Sequence, residues 1–176
     1  MAGNANDQAL QEVQALCLPV QTAMTSNRCF LGIDPGASGG LVWLDEFQRV
    51  RVSTKMPATP EALNALLVEH QFITKFVVIE WVHAMPRQDV GGMSKFMEGF
   101  GILQGLLIAN RIPFRRVAPR SWQAEFDIPK RDPDAPKSAF KNLLKAKAQE
   151  LFPEIKVTLA LADALLIAEF CRRKYA

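Results

Sequence analysis

No apolar run in this chain approaches the roughly 18 residues that would carry a helix across a bilayer, so no membrane association is expected. Cysteine is scarce. Cys17, Cys29 and Cys171 are odd in number and fall at no metal-ligating spacing, so they read as reduced thiols of an intracellular protein. Residues 1–28 contain a single cation, Arg28, and two acids, Asp7 and Glu12. They have neither the pattern of a secretory signal nor the Arg-rich character of a mitochondrial presequence. They read as an extension ahead of the core, either with a short helix over residues 8–17, partly disordered, or serving in targeting. Internal repeats and low-complexity tracts are absent as well.

What is present is ordinary globular usage. The 176 residues are 49% hydrophobic and 22% charged, enough for one domain with its own core. The net charge of +3 is small, but it is unevenly spread. Lys130, Arg131, Lys137, Lys141, Lys145, Lys147 and Arg172 to Lys174 make the final third basic. Such a flank serves either a polyanion or simply the solvated faces of helices.

Hydrophobic patterning sets the order of elements. Residues 29–34 and 40–45 run apolar around a Gly-rich turn and predict a hairpin, and Arg49 to Lys55 alternates as a third strand. In "TPEALNALLVEHQ", Thr59 is placed as N-cap, Pro60 at the first helical position and Glu61 in the first turn. "FVVIE", residues 76–80, is a continuous apolar run suited to a buried central strand. A long helix is expected over 93–110, a short strand in "PFRRVAP", and helices over 119–126, 137–152 and 160–174. Three antiparallel strands followed by alternating helices and strands predict an α/β fold, a mixed five-stranded sheet flanked by helices, over residues 29–176.

Three acids stand at the ends of these elements. Asp34 closes the first strand before "PGASGG", Glu80 closes the fourth, and Asp163 lies near the start of the last helix. Taken singly, each has an ordinary explanation: a turn residue, a solvated strand end, a charge favoured by the helix dipole. Taken together they describe a cluster of carboxylates, if the first and fourth strands are neighbours and the last helix reaches them. Hard divalent cations suit such a cluster, because Mg²⁺ takes carboxylate oxygens with waters and substrate phosphates. Paired ions of this kind assist phosphodiester hydrolysis.

The stretches "LGIDPGASGGLV", "FVVIEWVHAMP" and "LADALLIAEF" resemble the three acidic motifs of RuvC-like Holliday junction resolvases, of the RNase H-like nuclease superfamily. The phrases "VHAMP" and "ADALLIA" resemble its phage and organellar branch. The resemblance covers roughly residues 29–172. It implies a homodimer that cuts two opposed strands of a four-way DNA junction, with two Mg²⁺ per site, Mn²⁺ as a substitute and no nucleotide cofactor. Asp34, Glu80 and Asp163 then correspond to the metal-binding acids, and Lys137 to a lysine that assists at the scissile phosphate. Lys141 follows one helical turn later on the same face. Gly101 and Gly105, four apart, match the dimer-forming helix. The region holding Trp81, His83, Met85, Lys95 and Phe96 matches the part that enters the junction, where an aromatic ring can stack on a base.

Two positions depart from the family pattern. Leu159 and Ala160 stand where a further acid or His is usual, with Glu169 or Lys156 as possible compensation, and Gln123 stands where a lysine can occur. Ala160 is either natural or an inactivating substitution. Of the remaining residues, Arg120, Arg115 and Arg116 are candidates for phosphate contact and His83 for a base near Glu80. Trp122 reads as core and His70 as structural.

Three functions compete. The first is a metal-dependent, structure-selective endonuclease on branched DNA, acting inside the cell. The second is a catalytically weakened junction-binding protein of the same fold, for which Ala160 is the best support; a related nuclease acting on other branched or hybrid nucleic acids is a variant of the first. The third is an ATP-binding protein of the actin and sugar-kinase group. It requires a second phosphate loop and an adenosine motif, and the sequence has neither.

Overall fold

A computed structural model describes residues 28–81 and 90–176 of the chain. The expectations placed on Cys17, the N-terminal extension, His83 and Met85 lie outside the described residues. Strands β1 (Cys29–Asp34), β2 (Gly40–Asp45) and β3 (Val50–Lys55) lead into helix α1 (Pro60–His70), then β4 (Thr74–Glu80), α2 (Val90–Ala109), β5 (Phe114–Val117), α3 (Pro119–Ala124), α4 (Lys137–Leu151) and α5 (Leu159–Tyr175). The five strands form one mixed sheet in the order β3-β2-β1-β4-β5. β1 to β3 pair antiparallel, while β4 and β5 run parallel to β1. This is the predicted fold class.

Local chemistry accounts for several boundaries. Thr59 caps α1 as expected: its side chain accepts the Ala62 N–H, with Pro60 following where a free N–H is not needed. β3 begins one residue later than expected because Arg49 belongs to the turn. Its backbone N–H and its Nε both donate to the Asp45 carboxylate, at 2.9 and 2.8 Å. α3 stops at Ala124, short of the expected 126, in a turn that closes with Asp127 in the left-handed region at φ 56°.

Side-chain alternation divides the core. On one face, Leu31, Ile33, Leu41, Trp43, Val77 and Ile79 meet Leu63, Leu67, Phe100, Leu103 and Leu107 of α1 and α2. On the other, Phe30, Val42, Leu44 and Val78 pack beneath α5, with Trp122, Leu144 and Phe152 closing the edges. Fully burying each such side chain contributes roughly 1.5–3 kcal/mol. Gly32 sits at the middle of β1 on the α5 face. A Cβ there would run into the backbone of Ala164 and Ala168, so α5 lies directly on the central strand.

This alternation also decides where the acids point. Asp34 shares the parity of Phe30 and Gly32, and Glu80 that of Val78, so both face α5. Ile33 is in register with Ile79, which brings the two strand ends side by side.

At the opposite end of the sheet an ion network fixes the last turns of α5. Glu169 is fully buried and accepts from Arg172 Nε and Nη2 and from Arg173 Nε, all at 2.8 Å. Glu169, one of two residues considered as compensation for Ala160, is therefore engaged by arginines at the far end of α5. Lys156 lies exposed on the loop before α5. Cys29 and Cys171 are buried. Burial pushes Cys29 up to about 11 and Cys171 further still, so both stay protonated and unreactive. His70 is structural as expected, its ring tilted over Trp43 at 5.0 Å between centroids.

Candidate active site

The site begins at the turn after β1. The Gly36 N–H donates to Asp34 Oδ1 at 3.1 Å. Gly39 packs against the same carboxylate, where a Cβ would lie 2.7 Å from Oδ2. Gly40, paired in register with Asp34, is closed over by α5: a Cβ on it would meet Leu161 Cδ2 at 2.8 Å. These glycines are required for space, since neither adopts positive φ. They let the first turn of α5 approach the end of β1 and bring Asp163 toward Asp34.

The charges of the three acids act on one another. Burial is the main reason that Glu80 is raised to about 8, followed by the negative charge of Asp34, with Asp163 adding to it. Asp163 is raised to about 6 by burial and then by Asp34. Asp34 is also raised by burial, against the opposing pull of the Gly36 N–H and of Lys141. Lys141, exposed on α4, likewise lowers Asp163. Lys137, the expected partner of the scissile phosphate, opens the same helix one turn earlier and is exposed. The cation whose field reaches the acids is thus the second lysine of the pair.

One neighbour of the acids was not singled out from sequence as part of the site. Trp122 is core, as expected, but its Nε1–H also donates to Glu80 Oε1 at 2.9 Å. The available signal was general: a buried indole N–H requires an acceptor.

The other expected contacts lie around this centre. Arg115 and Arg116 are exposed on edge strand β5, whose Val117 is in register with Glu80. The Arg116 guanidinium covers the Trp81 ring at 4.6 Å. Arg120 is exposed, and its Nη1 donates to the Ile128 carbonyl at 2.8 Å. Lys95 and Phe96 do not join the acids. They line a cavity of about 600 Å³ that begins at Pro35 and Ala37, and Phe96 is half-buried and stacked on Phe100. Gly101 and Gly105 lie open on α2, with nothing near the position of a Cβ.

Among the described residues, no group of three or more His, Cys, Asp or Glu side chains closes into a ready-made metal cage. The three carboxyls, Glu80 buried and Asp34 and Asp163 half-buried, nevertheless lie in one another's field. The donor set is entirely hard oxygen carrying surplus negative charge, which fits a divalent cation in chemistry. Mg²⁺ commonly takes only one or two carboxylates, completing its shell with water and substrate phosphate, so a closed three-ligand cage is not required.

The raised carboxyls have a consequence for stability. Between about pH 4.5 and 8 the folded chain keeps the Glu80 proton, which the unfolded chain releases. Rising pH therefore favours unfolding. The metal-free protein is expected to lose on the order of 3 kcal/mol of stability between pH 5 and pH 8 through this group and its neighbours. Denaturant midpoints measured in EDTA at the two pH values test this, and a midpoint that rises toward pH 8 would contradict it.

No protein-family model matches the chain, and no curated protein matches it significantly. Solved structures do. The chain is similar to T. thermophilus RuvC in complex with Holliday junction substrate, with a TM-score of 0.61 and 19% identity over 84% of this chain and 96% of that one. It is also similar to another structure of Thermus thermophilus RuvC, with a TM-score of 0.54 and 18% identity over 83% and 96% of the two chains. At such identity the likeness concerns the fold: this chain has the RNase H-like architecture of RuvC.

Proposed function

We propose that residues 29–176 form a divalent-metal-dependent endonuclease that resolves four-way DNA junctions, of the phage and organellar type of RuvC-like resolvase. The observation that carries the reading is the convergence of Asp34, Glu80 and Asp163 from β1, β4 and α5, close enough that Asp34 raises both of the others. A buried cluster of like charges is costly without a cation to meet it. The T. thermophilus structure with a junction substrate adds the class of substrate, carried here by analogy of fold.

In this mechanism Asp34, Glu80 and Asp163 would hold Mg²⁺ or Mn²⁺. When bound, such ions activate water and neutralise charge developing on the phosphodiester. The chain's own residues do the rest. The Gly36 N–H and the close contact with Gly39 hold the Asp34 carboxylate against rotation. Lys141 offsets the negative charge of the site and, with Lys137, meets the phosphate. Arg115, Arg116 and Arg120 carry the flanking backbone, an electrostatic contribution that weakens steeply with salt. Lys95 and Phe96 are assigned to the junction centre.

A homodimer supplies two such sites for symmetric, paired nicks. Met97, Gly101, Gly105 and Ile108 recur at intervals of four, four and three along α2, all exposed. Ile108 is 67% exposed, an unusual position for a large apolar side chain on a helix whose other face is core. Ile108→Asp is expected to shift the protein from dimer to monomer in analytical ultracentrifugation and to replace paired nicking by single nicks. A dimer of unchanged strength would assign the interface elsewhere.

The function is tested by incubating an end-labelled four-way junction with and without Mg²⁺, beside a linear duplex. Symmetric nicks that require Mg²⁺ support the resolvase. Cleavage only after Ala160→Asp would favour the junction-binding reading, in which position 160 has lost a ligand. Equal treatment of junction and duplex would overturn both.

A further inference from the structure

We infer that Trp122 is a positioning residue for Glu80: its indole N–H fixes the carboxylate in one orientation before any ion arrives. The inference rests on the reading above, in which Glu80 is one of the acids that hold the cation.

Indole has a single polar atom, and that atom can only donate. Trp122 is wholly buried, so its N–H must find an acceptor within the protein. It takes Glu80 Oε1 at 2.9 Å, across 42 residues of sequence. Trp43 is equally buried, yet its N–H goes to a neutral hydroxyl, Thr74 Oγ1, at 2.9 Å. Burial of an indole therefore does not by itself dictate a carboxylate partner in this fold.

The ring is held independently of Glu80. It packs in the cluster formed by Phe30, Val78, Phe126 and Ile128 beneath α5. The corner that carries it is closed by two further bonds: the Ile128 N–H donates to the Gln123 carbonyl at 3.1 Å, and Arg120 Nη1 donates to the Ile128 carbonyl at 2.8 Å. The indole is thus a fixed donor, and the carboxylate is the partner that is positioned. With Oε1 held, rotation of the carboxylate is stopped and Oε2 keeps one direction. Without the N–H, Oε1 would lose its fixed donor and the Glu80 carboxyl would be free to rotate.

Outer partners of this kind usually matter about 10- to 100-fold for metal affinity. The test is calorimetric titration of the full-length chain with Mn²⁺. Trp122→Phe, which keeps an aromatic ring but removes the donor, is expected to weaken Mn²⁺ binding at least about tenfold. Phe152→Leu, in the same core cluster but away from Glu80, serves as the packing control and is expected to leave Mn²⁺ affinity unchanged while lowering the melting temperature. A second readout uses the indole ¹H–¹⁵N resonances during Mg²⁺ titration: that of Trp122 should shift with saturation, and that of Trp43 should stay in place. Equal Mn²⁺ affinity in wild type and Trp122→Phe, or an equal loss in Phe152→Leu, would overturn the positioning role alone. No Mn²⁺ binding by the wild-type chain would overturn it together with the reading of the acids as metal ligands.

Discussion

Asp34→Asn is expected to abolish junction cleavage while leaving the fold and junction binding intact. On the proposed reading Asp34 holds the cation, and losing such a carboxylate forfeits several kcal/mol of transition-state stabilisation. At about 1.4 kcal/mol per tenfold, that is a loss on the order of 10³-fold in rate or more. Asparagine still offers an oxygen to the Gly36 N–H, so the turn should keep its shape. The variant should also carry a second signature. Asp34 raises both Glu80 and Asp163, so its neutralisation relieves the cluster. In EDTA at pH 8, Asp34→Asn should therefore melt a few degrees above the wild type, since about 1 kcal/mol moves the midpoint by roughly 2–4 °C in a chain of this size. A dead enzyme more stable than its parent is what a site strained by uncompensated charge predicts. A variant that is dead and also less stable would indicate that Asp34 acts through the fold instead. Gel assays of junction cleavage and binding, with thermal melts beside them, separate these cases.

Gly32→Val should have the largest effect on the fold. Gly32 faces α5 at the centre of the sheet, and the atoms that a Cβ would strike belong to the backbone of Ala164 and Ala168. No rotamer change relieves such a clash; the helix itself must lift. Overpacking of this kind costs about 3 kcal/mol or more, against a total stability of roughly 5–15 kcal/mol. Lifting α5 would also withdraw Asp163 from Asp34, so the small fraction that folds should be inactive. Circular dichroism in denaturant would report the loss, and Gly32→Ala should already lower the midpoint. A Gly32→Ala protein of unchanged midpoint and activity would show that α5 does not bear on β1 as closely as described.

Much of this architecture was legible in the sequence because it rests on local rules. Strand alternation around residues 29–55, the Thr59-Pro60 helix start and the apolar run before Glu80 depend only on near neighbours in the chain. The approach of the three acids needed two assumptions beyond that: the adjacency of β1 and β4, met by their parallel pairing, and the reach of the last helix, met where α5 lies against Gly32 and Gly40. What could not be read were contacts set by the third dimension. Trp122 was legible as core, but its acceptor lies 42 residues away and depends on how the α3 corner docks beneath β4. Lys137 and Lys141 share a helix face, and only the tilt of α4 decides that the charge of Lys141 reaches the acids. Glu169 looked available near Asp163, yet it is claimed by Arg172 and Arg173 one turn further on.

The most direct test of the central claim is anomalous X-ray scattering from crystals of the wild-type protein soaked in Mn²⁺. Anomalous density joining Asp34 to Glu80 or Asp163, and lost in Asp34→Asn, is the predicted result. A protein that nicks junctions with no Mn²⁺ at these three carboxylates, or with Mn²⁺ held elsewhere, would contradict it.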